Sequence, residues 1–184
     1  MQISIAVCHF QHEGWQKQFF PDDLPEDWRF DYYANEFDSV FFSRADQESS
    51  GGALIRQALM QADAGFLVVI EGADDKNMLT DNCSPAKCSV VYVKFLPATS
   101  MRPILAVPGV YIEQADIVSQ QNLSATACVL RVNSVSVIQN QDVKQLLMYF
   151  QTNYAEFDRV YVFLGQHLQN VETINTVGII NDLL

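Results

Sequence analysis

The segment TACVLRV (residues 126–132), the apolar series Val143, Leu146, Leu147, Phe150, Tyr154, and the segment RVYVFL (residues 159–164) together decide the fold. The two outer segments are short and apolar with many β-branched residues, as expected of strands covered on both faces in a parallel sheet. Between them the apolar positions recur at i, i+3, i+4 and i+7, the stripe of an amphipathic helix, with Asp142 placed to cap it. Strand, helix and strand in that order make one βα unit followed by the start of the next.

The same alternation continues toward the N-terminus. Ile3–Cys8, Ser39–Ser43, Phe66–Ile70, Ser89–Phe95 and Pro103–Val107 are further strand-like runs. Trp28, Tyr32 and Tyr33 are expected on one helical face behind Pro25. Leu54, Ile55, Ala58, Leu59 and Ala62 form a second stripe, entered through Ser49-Ser50-Gly51-Gly52, and Val171, Ile174 and Val177 open a last helix. The middle differs: Pro97, Pro103, Pro108 and Gly109 break the stretch from Phe95 to Thr126, and no long amphipathic helix is legible there. No internal repeat or linker is evident, so residues 1–184 are read as a single domain.

Composition excludes several functions. Twenty-two acidic against 11 basic residues give a formal charge of −11, and no basic run is present, so no nucleic acid partner is expected. No stretch approaches the roughly 18 uninterrupted apolar residues of a membrane helix. Met1–Val7 lacks the basic flank of a signal peptide, and four scattered cysteines suit a reducing compartment; a cytoplasmic location is expected. Cys83 and Cys88 have no second pair, and His9, His12 and Glu13 lack the helical His-x-x-Glu-His order of an inverted zinc protease, so no metal is expected. Gly-x-Ser-x-Gly, Gly-x-x-x-x-Gly-Lys and Gly-x-Gly-x-x-Gly are absent, which leaves neither a serine nucleophile nor a nucleotide cofactor to expect.

An ordered series in the first part of the chain adds a resemblance. Trp15, Phe19-Phe20-Pro21, Leu24-Pro25, Tyr32-Tyr33-Ala34, Phe37 and Val40 follow one another as in the opening of the YecE-like family, known as domain of unknown function 72. Val129-Leu130-Arg131-Val132-Asn133, Val160-Tyr161-Val162-Phe163-Leu164 and the stretch from Asn170 to Leu184 resemble that family's later strands and closing helix. The resemblance covers roughly residues 3–43 and 126–184 and implies a TIM-barrel relative. Phe41 and Ser43 stand where the family has an acid and an asparagine, Asn133 where it has a histidine, and Gly165-Gln166 where it has paired asparagines. The run after the first strand is Val7-Cys8-His9-Phe10 in place of Gly-Thr-Ser-Gly. Losing an acid and a histidine together argues against inherited acid–base chemistry, and no catalytic residue is assigned.

A full (β/α)8 barrel takes about 250 residues and seldom fewer than 200, so a reduced or distorted TIM-barrel-like fold with a helix-poor middle is expected. An open parallel doubly wound sheet is the alternative. Strand alternation puts Val129, Arg131 and Asn133 on one side and the apolar Cys128, Leu130 and Val132 on the other. Arg131 should therefore be largely buried inside the barrel, paired with a carboxylate such as Glu71 or meeting a small anion beside Asn133 and Gln166. His9 is a pocket-lining donor, and Trp15 joins Phe19, Phe20, Trp28, Tyr32 and Tyr33 as a packed cap or a stacking surface. The resulting expectation is a binding or interaction module that takes a small anionic ligand or a protein partner at the C-terminal strand ends. A small hydrolase-like or transferase-like enzyme is the alternative.

Overall fold

The computed structural model describes residues 1–8, 17–50, 52–72, 87–95, 102–104, 110–121, 123, 126–134 and 140–165. In chain order the elements are β1 (Gln2–Val7), a 3-10 turn (Glu26–Trp28) leading into α1 (Arg29–Glu36), β2 (Ser39–Phe42), α2 (Arg44–Ser50) and α3 (Ala53–Gln61). There follow β3 (Leu67–Glu71), β4 (Ser89–Phe95), β5 (Arg102–Pro103), β6 (Val110–Gln121), β7 (Ala127–Ser134), α4 (Asn140–Asn153) and β8 (Arg159–Leu164). The fold is mixed α/β with few helices, and the chain forms two compact units. One comprises Met1–Cys8, Phe95–Ala115 and Ala125–Leu184; the other comprises His9–Lys94 and Asp116–Ser124.

In the first unit β7, α4 and β8 form the expected βαβ unit. Val143, Leu146, Leu147 and Phe150 of α4, with Tyr154 just after it, pack on Cys128, Leu130 and Val132 of β7 and on Val160, Val162 and Leu164 of β8. Each of the larger of these side chains contributes about 1.5–3 kcal/mol by leaving water. Parallel pairing sets Cys128 opposite Val160 and Val132 opposite Leu164, and β1 adds on the far side of β8 with Ile3 opposite Val160. The strands at Ile3–Cys8 and Arg159–Leu164 are thus parallel neighbours, as expected.

An all-parallel sheet is not what forms. β6 runs antiparallel to β7, with Ile112 opposite Val132, and β5 is antiparallel to β6. The Pro103–Val107 run is represented by the two residues of β5, its remainder from 105 onward lying outside the described residues. The sequence gives β6 a cue of its own. Val110 and Ile112 face the α4 core, while Gln114, Asp116 and Val118 alternate with more buried neighbours in the period of a half-covered strand.

In the second unit β2, β3 and β4 are parallel neighbours, with Val40 opposite Val68 and Val69 opposite Val91, and β2 is buried throughout. Ser49 and Ser50, expected as an entry to the next helix, end α2. α2 starts on a reciprocal cap: the Ser43 N–H and Oγ donate to Asp46 Oδ2 at 2.8 and 2.7 Å, and the Asp46 N–H lies 3.2 Å from Ser43 Oγ. Trp28, expected beside Tyr33 on the inner face, is instead 62% exposed. It closes the 3-10 turn ahead of α1, so the helical phase is set from Arg29 and turns Phe30 and Tyr33 inward. The Tyr33 hydroxyl donates to the Ser39 carbonyl at 2.9 Å and ties α1 to β2. The expected closing helix beyond Asn170 lies outside the described residues.

The N-terminal ends of β7 and β8 are clasped by two side chains. Thr126 donates from its N–H and Oγ1 to Asp158 Oδ2 at 3.0 and 2.8 Å, and the Asp158 N–H donates back to the Thr126 carbonyl at 3.0 Å. The Thr126 hydroxyl, and secondarily its N–H, hold the Asp158 carboxyl below its ordinary value. A carboxylate with a depressed folded pKa adds stability above the unfolded value of about 3.9, and that stability is lost as pH falls through the folded value. Asp158→Asn should accordingly melt below the parent at neutral pH, and the gap should close on acidification, read by thermal melts across pH 2–7. A gap independent of pH would assign the clasp to shape rather than charge.

Candidate functional site

The registers of the first unit bring the C-terminal ends of β1, β8 and β7 together, with Val7 opposite Leu164 and Leu164 opposite Val132. Because β6 is antiparallel, its start lies at the same end, with Tyr111 opposite Asn133. On the face away from α4, Ala6, Phe163, Arg131 and Glu113 form one cross-strand row, and Asn133 and Tyr111 lie in the next row toward the strand ends.

Arg131 anchors the row. Its Nε donates to Glu113 Oε2 at 2.5 Å, and its Cζ lies 4.2 Å from the centre of the Phe95 ring at the end of β4. The Glu113 side chain is 5% exposed and that of Arg131 is 24% exposed, so the carboxylate is the more deeply buried member of the pair. Arg131 is largely buried and paired with a carboxylate, as expected, but that carboxylate is not Glu71. Glu71 belongs to the second unit, where its carboxylate faces the Arg44 N–H at 3.4 Å and its carbonyl accepts from Gln47 Nε2. The true partner comes from β6, the strand that interrupted periodicity obscured.

Asn133 lies against Gly165, the residue after β8. The Gly165 N–H donates to the Val132 carbonyl at 2.7 Å, and a Cβ at Gly165 would meet the Asn133 carboxamide directly and the Val132 oxygen at 3.0 Å. Only glycine lets the Asn133 side chain lie across this strand end. Beside them the Cys8 N–H donates to the Leu164 carbonyl at 2.9 Å. Arg131 and Asn133 are therefore brought together, while His9, Trp15 and Gln166 lie outside the described residues, as do His12 and Glu13.

The other sequence candidates occupy different surroundings. Cys128 is on the α4 side, where burial and then the Glu156 charge push its thiol up to about 12, which keeps it protonated and unreactive. Burial likewise raises the Cys88 thiol. Of the aromatic series, four members pack in the second unit while Trp28 is exposed: Tyr33 stacks on Phe37 at 4.6 Å, and Phe19 meets Phe20 and Tyr32 edge-on at 4.9 and 5.3 Å. Among the described residues no group of three or more His, Cys, Asp or Glu could hold a metal ion, and no helix is long and apolar enough to cross a membrane.

Removing Arg131 strands a buried carboxylate, whereas removing Glu113 leaves a cation that can turn to water. Arg131→Ala should cost about 2–4 kcal/mol and Glu113→Ala distinctly less, while the double replacement by methionine should recover most of the loss. Urea unfolding of the four proteins reads this directly, and Arg131→Ala unfolding like the parent would show the pair to be solvated. Gly165→Ala should cost about 1–3 kcal/mol by overpacking. Asn133→Ala in the same chain should return part of that cost, because the Val132 oxygen remains in the way. Equal stabilities of Gly165→Ala with and without the second change would remove Asn133 from the contact.

Comparisons of the chain with protein-family models, curated proteins and solved structures find no match.

Proposed function

We propose that this chain is a reduced TIM-barrel-like relative of the YecE-like family that acts as a binding module, taking a small anionic ligand at the C-terminal strand ends. The observation that carries this reading is the Arg131 guanidinium, held by Glu113 on one side and the Phe95 ring on another, on a side chain that is still partly exposed. A guanidinium oriented before the ligand arrives loses little freedom on binding, and its planar fork suits a carboxylate or phosphate. Asn133, in the row nearer the strand ends, supplies a neutral hydrogen-bonding group beside it. His9, Trp15 and Gln166 follow the strand ends in sequence and belong to the same proposal.

The electrostatics limit the ligand. Glu113 cancels the charge of Arg131, and the whole chain carries −11, so no broad positive field gathers anions. The affinity must come from short-range hydrogen-bond geometry, which favours a small, compact anion held weakly. Glu113 spends an oxygen on Arg131 rather than on a substrate proton, which supports binding over acid–base catalysis.

Titration with acetate and inorganic phosphate to about 50 mM, followed by melting temperature and by chemical shifts of the Arg131 side chain, tests the proposal. Parent protein should be stabilised in a saturable way. Arg131→Lys, which keeps the charge but loses the fork, should bind at least about tenfold more weakly. No saturable response in the parent, or an equal response in Arg131→Lys, would overturn it.

A further inference from the structure

Among its described residues the second unit exposes a tryptophan within a carboxylate-rich stretch, Asp22 to Asp31. Trp28 is 62% exposed at the end of the 3-10 turn, and Met60 on α3 is 73% exposed. The Asp27 carbonyl accepts from Gln57 Nε2 at 3.1 Å, which fastens the Trp28 turn to the α3 surface one helical turn before Met60. Asp22, Asp23, Glu26, Asp27 and Asp31 are all exposed around this turn. Arg29, the cation of that stretch, lies 3.9 Å from Glu26 and over the Phe20 ring, and a second cation, Arg56, is exposed on α3 one helical turn before Met60.

An exposed tryptophan costs hydration without serving the core, since Phe30 and Tyr33 fill α1's inner face. Tryptophan at the centre of a contact is the side chain most often responsible for binding energy, and methionine adapts to varied partners. The sign of the rim selects the partner: nucleic acid and anionic membrane surfaces are repelled, and so is a second copy of a chain with charge −11. We infer that the Trp28–Met60 surface docks a basic amphipathic segment of a partner protein, its apolar residues on Trp28 and Met60 and its Lys or Arg residues on the surrounding carboxylates. This surface is separate from the Arg131 site and does not rest on it.

The test uses the full chain and a labelled amphipathic helical peptide of Lys and Leu, with a Glu/Leu peptide of the same pattern as control, followed by fluorescence anisotropy. The parent should bind the basic peptide saturably and not the acidic one. Trp28→Ala, an exposed change expected to fold as the parent, should weaken binding at least about tenfold. Asp23→Asn with Asp27→Asn should weaken it and flatten its salt dependence, whereas Met148→Ala, an exposed methionine of the first unit, should leave it unchanged. Equal binding by parent and Trp28→Ala would reduce the effect to bulk charge and overturn the inference. Failure of the parent to bind, or equal binding of the acidic peptide, would overturn it as well.

Discussion

The bond between the Arg131 guanidinium and the Glu113 carboxylate joins β7 to β6 on the face opposite the α4 core. Cys128, Leu130 and Val132 must face α4 because they are the apolar half of β7. A strand has only two faces, so Arg131 is carried to the other one whatever it finds there. A charge at that position, three-quarters covered, requires an opposite charge at hydrogen-bonding distance. β6 supplies it by pairing antiparallel to β7 with Glu113 directly opposite Arg131, and the same register sets Tyr111 opposite Asn133. One polar contact thus accompanies the strand direction, the pairing register and the composition of the candidate site.

The parts of the fold that could be read from residues are those in which one physical signal dominates. Arg159–Leu164 appears with its expected bounds because all five residues after Arg159 are buried hydrophobics, the mark of a strand covered on both faces. The α4 stripe is equally plain, since four apolar residues of the helix and Tyr154 just after it share one face. β6 was hidden because it changes character along its length. Val110 and Ile112 face the core, and beyond Glu113 the alternation passes to a different set of positions, so neither a continuous apolar run nor a single period marks it. Pro103 reads as a breaker, yet it lies in β5, which pairs antiparallel with β6.

The site was legible by half. Parity alone placed Arg131 and Asn133 on one face, and the need for a carboxylate followed from the cost of a buried charge. The identity of that carboxylate could not follow, because it depends on the direction of β6. α2 carried a signal that went unused: Ser43 and Asp46 stand three apart as a reciprocal cap should. Trp28 misled for a different reason, since a 3-10 turn shifts the helical phase and sends outward a residue that the α-helical period turns inward.

The pairing of β1 with β8 has a consequence for the order in which the chain acquires structure. β1 belongs to the first unit, yet its hydrogen-bonding partner is separated from it by nearly all of the described chain. The β2, β3 and β4 strands can assemble from one contiguous stretch of the chain. The apolar β1 must meanwhile remain unpaired until α4 and β8 have emerged, an arrangement of high contact order that slows productive collapse. During synthesis this leaves a nascent, aggregation-prone strand waiting for its distant partner, the kind of segment that chaperones shelter.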